Sequence, residues 1–180
     1  MYILKTNRYA YHKENIRQTN AKRQAKGGGI MVWGMMTSNG ILSIQILHIR
    51  IRSQDYLHML QTFSVKLMKL NMGPNFSFVQ ENCTIHKTRE VLSYLTSENI
   101  KVIQWPPRFP DLNTIENIWK VMSDIVYDGC QPKNLKDLHQ RILEAANTIN
   151  NEKRDIIKKL YSGFCHRLTT ILKSNICLYK

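Results

Sequence analysis

The chain has 180 residues, enough for one domain with a full hydrophobic core and short for two. Its 43% apolar content excludes a disordered chain, and no stretch has the unbroken apolar length of a membrane span. The formal charge of +13 is concentrated at the ends: residues 1–26 hold seven Lys/Arg against the single acid Glu14, and residues 151–180 hold seven against two, while 27–150 carry twelve basic against ten acidic residues. Basic ends on a near-neutral middle suit contact with a polyanion, most simply a nucleic acid backbone, or else form a solvated basic surface. The opening "MYILKTNRYAYHKEN" lacks the apolar run of a signal peptide. The protein is therefore expected in nucleus or cytoplasm, with no membrane partner and no secretion. Cys83, Cys130, Cys165 and Cys177 form no CxxC pair and are expected to be reduced, and the adjacent Cys165-His166 lacks zinc-finger ligand spacing.

Residues 1–26 form a basic segment with no assigned structure after a short apolar start. "GGGIMVWGMMTSNGILSIQILHI" predicts strands at 30–37 and 41–48 joined through Ser38-Asn39-Gly40, with Asn-Gly as a hairpin signal that asks for positive φ at both residues. The glycines 27–29 precede a strand, whereas a phosphate-binding loop follows one and opens a helix. Ser53 is a suitable N-cap, and Tyr56, Leu60, Phe63, Leu67 and Leu70 recur at helical spacing over about five turns. A short strand (76–80) then ends at Glu81. A helix over 88–98, with Val91, Leu92 and Leu95 apolar, leads to a strand at 101–105. From Asp111 as N-cap a helix turns Ile115, Ile118, Trp119, Met122 and Ile125 inward. Helices over 134–150 (Asn134 as cap), 152–161 and 163–175 make the C-terminal third helical. The order β-β-α-β-α-β-α, then helices, predicts an α/β fold whose sheet mixes an antiparallel hairpin with a parallel portion. Ligands of open α/β sheets gather at the C-terminal strand ends, which here place Glu81 and the loop after Trp105 together.

Four stretches, "MVWG", "FVQENCTIH", "KVIQWPPRFPDLNTIENIW" and "QPKNL", resemble the catalytic domain of mariner-superfamily (Tc-like) DDE transposases. The resemblance runs from about residue 2 to the C-terminus. It is most specific around 105–119, and the 34 residues between Glu81 and Glu116 match the spacing of one branch of that family. It implies an RNase H-like mixed sheet flanked by helices, with a catalytic domain over 27–180 after the basic segment 1–26. It also implies metal-dependent DNA cleavage and strand transfer, with DNA as partner and a homodimer as the assembly. Such chemistry places two Mg²⁺ (or Mn²⁺) ions about 4 Å apart to activate a nucleophile and steady the leaving oxygen. Hard cations in tight octahedra take carboxylates on rigid supports. By resemblance Glu81 and Glu116 are the catalytic, metal-binding positions. Asn82 adjoins the first, and Asn113 shares the helix face of Glu116 as support. Lys22, Arg23, Lys26, Lys101 and Arg108 form the basic rim for DNA. His86 either leans toward DNA or stands as a surface histidine at a helix start.

Three departures from the family pattern set expectations. Position 81 is Glu where the family has Asp, one methylene longer than a site held within about 0.5 Å accepts. The family's first acid lies on a central strand upstream of Gly27-Gly28-Gly29, and before Asp55 this sequence offers only Glu14. That central strand is expected to be missing, as in an N-terminally truncated domain. Tyr2-Ile3-Leu4 would then be the one local segment able to fill the gap beside the hairpin. Cys83, Thr84, Phe109 and Thr114 also differ from the family residues. Two functions follow as expectations: a transposase catalytic domain inactive as this chain, or a non-catalytic DNA- or partner-binding module derived from one.

Overall fold

The structure, a computed structural model, describes residues 2–5, 29–47, 51–81, 83–103 and 113–173. They fall into two compact units, one of residues 1–49 and 111–170, the other of residues 50–110 and 171–180.

The first unit is built on a hairpin of β2 (Gly29–Thr37) and β3 (Gly40–Leu47). The Asn-Gly expectation is corrected in detail. Thr37 pairs with Gly40, so the two-residue loop is Ser38-Asn39. Asn39 is not at positive φ, since Asn99 is the only such non-glycine among the described residues. The Asn39 N–H is instead taken by the Thr37 hydroxyl at 3.1 Å. Gly40 has φ +145° and meets a distant partner: a Cβ there would lie 2.8 Å from Asn150 Oδ1. That amide clamps the start of β3, accepting from the Ile41 N–H at 2.8 Å and donating to the Ile41 carbonyl at 2.9 Å.

The expected gap beside the hairpin is filled in part. Strand β1 (Tyr2–Lys5) pairs antiparallel with β2, Tyr2 opposite Val32 and Lys5 opposite Gly29. An open strand edge carries unpaired N–H and C=O groups, and a short apolar segment nearby satisfies them. β1 pairs with the first four residues of β2, Gly29 to Val32.

Three helices cover the hairpin: α4 (Thr114–Val126), α5 (Leu135–Asn151) and α6 (Arg154–Lys173). Ile118, Trp119, Met122 and Val126 of α4, Leu138, Ile142 and Ile149 of α5, and Ile157 of α6 bury against Ile30, Val32 and Ile41. Each such side chain contributes roughly 1.5–3 kcal/mol on leaving water. Asn134 caps α5 as expected, its side chain accepting from the Asp137 N–H at 2.9 Å. The expected break before 163 is absent and α6 is continuous. Gly163, with no Cβ, lets the Arg167 guanidinium lie across it, 2.9 Å from the Leu160 carbonyl.

In the second unit, α1 (Ser53–Met59) passes through a π-helical turn, Leu60–Ser64, into α2 (Val65–Met72). The cap is Arg52, not Ser53, with the Asp55 carboxylate accepting the Arg52 N–H at 2.8 Å. In the π turn the Val65 N–H reaches back five residues to the Leu60 carbonyl, and the Ser64 hydroxyl donates to the Met59 carbonyl at 3.1 Å. The extra residue rotates the buried face. Tyr56 and Leu60 stay inside, Ser64, Val65 and Met68 join them, and Leu70 of the expected stripe is 73% exposed. Beyond lie β4 (Ser77–Val79), a 3₁₀ turn (Thr84–His86), α3 (Arg89–Ser97) and β5 (Lys101–Ile103). β4 and β5 pair in parallel across α3, Phe78 opposite Val102. The expected single mixed sheet therefore stands as two among the described residues, three strands antiparallel and two parallel.

Candidate active site

Glu81 lies two residues after β4 and is half-buried. Its loop is held by side chains on both flanks. The Tyr56 hydroxyl on α1 donates to Gln80 Oε1 at 3.0 Å, and Gln80 Nε2 donates to the His86 carbonyl at 3.1 Å. His86 Nδ1 lies 3.2 Å from the Glu81 carbonyl. A carbonyl only accepts, so Nδ1 carries a proton in this contact. The His86 ring packs on Tyr56 with centroids 4.2 Å apart. The surface reading of His86 is corrected: the residue is 2% exposed, and Nε2 is buried without a partner among the described residues. Desolvation holds the imidazole below its ordinary pKa, against the pull of Glu81. Burial, then the nearby Glu81 charge, pushes the Tyr56 phenol well above the usual tyrosine range.

Glu116 is the third residue of α4, in the first turn, where the helix dipole favours a negative charge. Asn113 is the cap of this helix: its carbonyl accepts the Glu116 N–H at 3.0 Å and its side chain makes no capping bond. The helix is placed by a contact between two of the quoted motifs. Trp119, one turn after Glu116 and 1% exposed, fills the space over Gly34 so closely that a Cβ on Gly34 would stand 2.4 Å from Cη2. Its N-terminal end is tied from α6, where the Tyr161 hydroxyl bonds the Thr114 side chain and burial raises the phenol.

Glu81 and Glu116 belong to different compact units. Among the described residues no group of three or more His, Cys, Asp or Glu side chains could hold a metal ion. A two-metal site of the expected kind takes more donors than that, so the described residues do not by themselves fit one. Lys101 is exposed at the start of β5. Asn82, Lys22, Arg23, Lys26 and Arg108 lie outside the described residues, as do Asp111 and the loop after Trp105. No helix among the described residues is long and apolar enough to cross a membrane. Tyr56, Gln80, Gly34 and Tyr161 were not anticipated as supports. The available signal was Tyr56 on an apolar helix face, since a buried phenol needs a hydrogen-bond partner.

A family model described as DDE superfamily endonuclease matches residues 4–139. The Tc3 transposase of Caenorhabditis elegans is 33% identical over 157 residues, 86% of this chain and 46% of that protein. The Tc1 transposase of the same organism is 25% identical over 149 residues, covering 83% and 53%. The chain thus spans about half the length of these curated relatives. Among solved structures, a pre-cleavage Mos1 transpososome aligns with TM-score 0.77 at 11% identity, covering 99% of this chain and 55% of that one. The Mos1 transposase catalytic domain with raltegravir and Mg aligns with TM-score 0.71 at 12% identity, covering 84% and 78%. These alignments show the fold to be RNase H-like.

Proposed function

The chain belongs to the DDE superfamily endonucleases, and from that premise we propose that it is a transposase catalytic domain whose second and third acid positions are Glu81 and Glu116, that it binds DNA, and that the 180-residue chain alone does not cleave it. The observation that carries this reading is the pair of mounts: one motif acid two residues after β4, the other in the first turn of α4. Rigid strand ends and helix starts are where phosphodiester chemistry needs its carboxylates. The absence of cleavage is proposed because Glu81 stands one methylene longer than Asp. The Mos1 structures with Mg and Mn concern that protein. For this chain, use of Mg²⁺ or Mn²⁺, assembly as a homodimer and residence in the nucleus belong to the same proposal.

Purified chain incubated with supercoiled plasmid in Mg²⁺ or Mn²⁺ is expected to leave the plasmid intact. Nicking that Glu116→Gln abolishes would overturn the inactive reading. Glu81→Asp joined to an upstream family segment with the first acid and an end-reading domain is expected to cleave, and Glu116→Gln in that protein to silence it again.

A non-catalytic DNA-binding module is the second reading, favoured by the exposed bases Lys101, Lys133, Lys136, Arg154, Lys158 and Lys159. Phosphate contacts carry no sequence information. Affinity for unrelated duplexes is therefore expected to be alike. It should drop about a thousandfold between roughly 50 and 200 mM salt if some six phosphates are neutralised. Affinity unmoved by salt is the contrary result.

A further inference from the structure

We infer that Tyr56, Gln80 and His86 are positioning residues that fix the backbone at residue 81, and with it the direction in which the Glu81 side chain leaves the loop. The inference rests on reading position 81 as a functional acid, and goes beyond it by assigning positioning roles to three further residues.

A carboxylate two residues beyond a three-residue strand has little ladder to hold it. β4 pairs only at Ser77, Phe78 and Val79, so Gln80 and Glu81 leave the sheet. Four contacts replace the ladder, and they form a closed path. It runs from Tyr56 to the Gln80 amide at 3.0 Å, from that amide to the His86 carbonyl at 3.1 Å, and from the His86 ring to the Glu81 carbonyl at 3.2 Å. Ring contact between His86 and Tyr56 closes it. Gln80 uses both ends of its amide, and His86 uses both its backbone carbonyl and its ring. The outer members are almost fully buried, Tyr56 at 1% and His86 at 2%. A buried polar path of this kind tolerates few alternative arrangements, because each lost bond leaves a desolvated group unpaired. His86 further keeps its buried Nε2 without a partner among the described residues. Space filling alone does not call for a ring bearing an orphaned nitrogen; the Nδ1 donor at the Glu81 carbonyl does.

The test separates donor geometry from bulk. In His86→Asn the side-chain amide nitrogen takes the place of Nδ1, whereas in His86→Gln it reaches toward the place of Nε2. Amide hydrogen exchange at His86 and Lys87, whose N–H groups bond the Cys83 and Thr84 carbonyls at 3.0 and 3.2 Å, reports the order of the loop without DNA or metal. Exchange within about threefold of the native chain is expected for His86→Asn, and faster by about tenfold, the loss of one buried bond, for His86→Gln and for Tyr56→Phe. Amides of α5 serve as the control for global unfolding. If His86→Gln protects the loop as well as His86→Asn does, or Tyr56→Phe leaves it unchanged, the side chains only fill space and the inference is wrong. Failure of position 81 as a functional acid would register in the plasmid assay and leave these exchange rates untouched, so the two failures are told apart.

Discussion

At position 34 a single methyl group decides whether strand and helix can touch. Gly34→Ala would press a Cβ to 2.4 Å from Trp119 Cη2 and 3.2 Å from Ile44 Cδ1, and Trp119 is too enclosed to swing aside. We expect a loss of about 1–3 kcal/mol in urea unfolding, the usual cost of overpacking. In a Trp119→Phe background, where the outer ring atoms are gone, the same change should cost clearly less, and the cycle measures the coupling. At position 56 the sign of a pH effect can be worked out. The Tyr56 phenol is raised in the folded chain by burial and by Glu81. Its contribution to stability is therefore complete below the ordinary tyrosine value near 10 and is lost as pH rises from there toward the folded value. Alkaline unfolding followed by circular dichroism should be less steep above about pH 10 in Tyr56→Phe. Identical profiles would count against the buried phenol.

Elements were legible where their signals are local. The hairpin, the strand before Glu81 and the Asn134 cap are written in a few neighbouring residues, and Asn134→Ala is expected to cost about 1 kcal/mol in thermal or urea unfolding. The π turn at Leu60–Ser64 was not legible, because a count at 3.6 residues per turn cannot show where one extra residue will be accommodated. Deleting the exposed Gln61 tests that account. With one residue fewer, the Val65 N–H meets the Leu60 carbonyl in an ordinary α turn, and Val65 and Met68 keep their places in the core. Helical content and stability should both persist to within about 1 kcal/mol, whereas a loss of roughly 3 kcal/mol or more would show that the turn does not set the face. The break expected between 161 and 163 is absent, and at Gly163 the missing side chain leaves room for Arg167 to lie across a continuous helix. β1 was legible only as a candidate, since its partner is more than twenty residues away and pairing depends on an edge that no local window contains.

For the molecule as a whole, the family was readable because short motifs carry it, while the contacts around the two proposed acid positions were not. Tyr56 stands 24 residues before its partner Gln80, and Gly34 meets a tryptophan 85 positions on. Such pairings exist only once the chain has folded. The order of the units then bears on how it does so. The first unit is assembled from two separated stretches of sequence, 1–49 and 111–170, with residues 50–110 between them. The hairpin leaves the ribosome before Trp119 and the α5 residues that cover it have been made, and its apolar face is bare until they follow. Bringing those stretches together means closing a loop of about sixty residues, at an entropic cost of roughly 4 kcal/mol. The span 50–110 pairs its strands across a single short helix and faces no such delay. Pulse-labelled exchange during refolding should therefore find the Ile100 amide protected before the Ile41 amide. The nascent hairpin is left as the stretch a chaperone has most reason to shield.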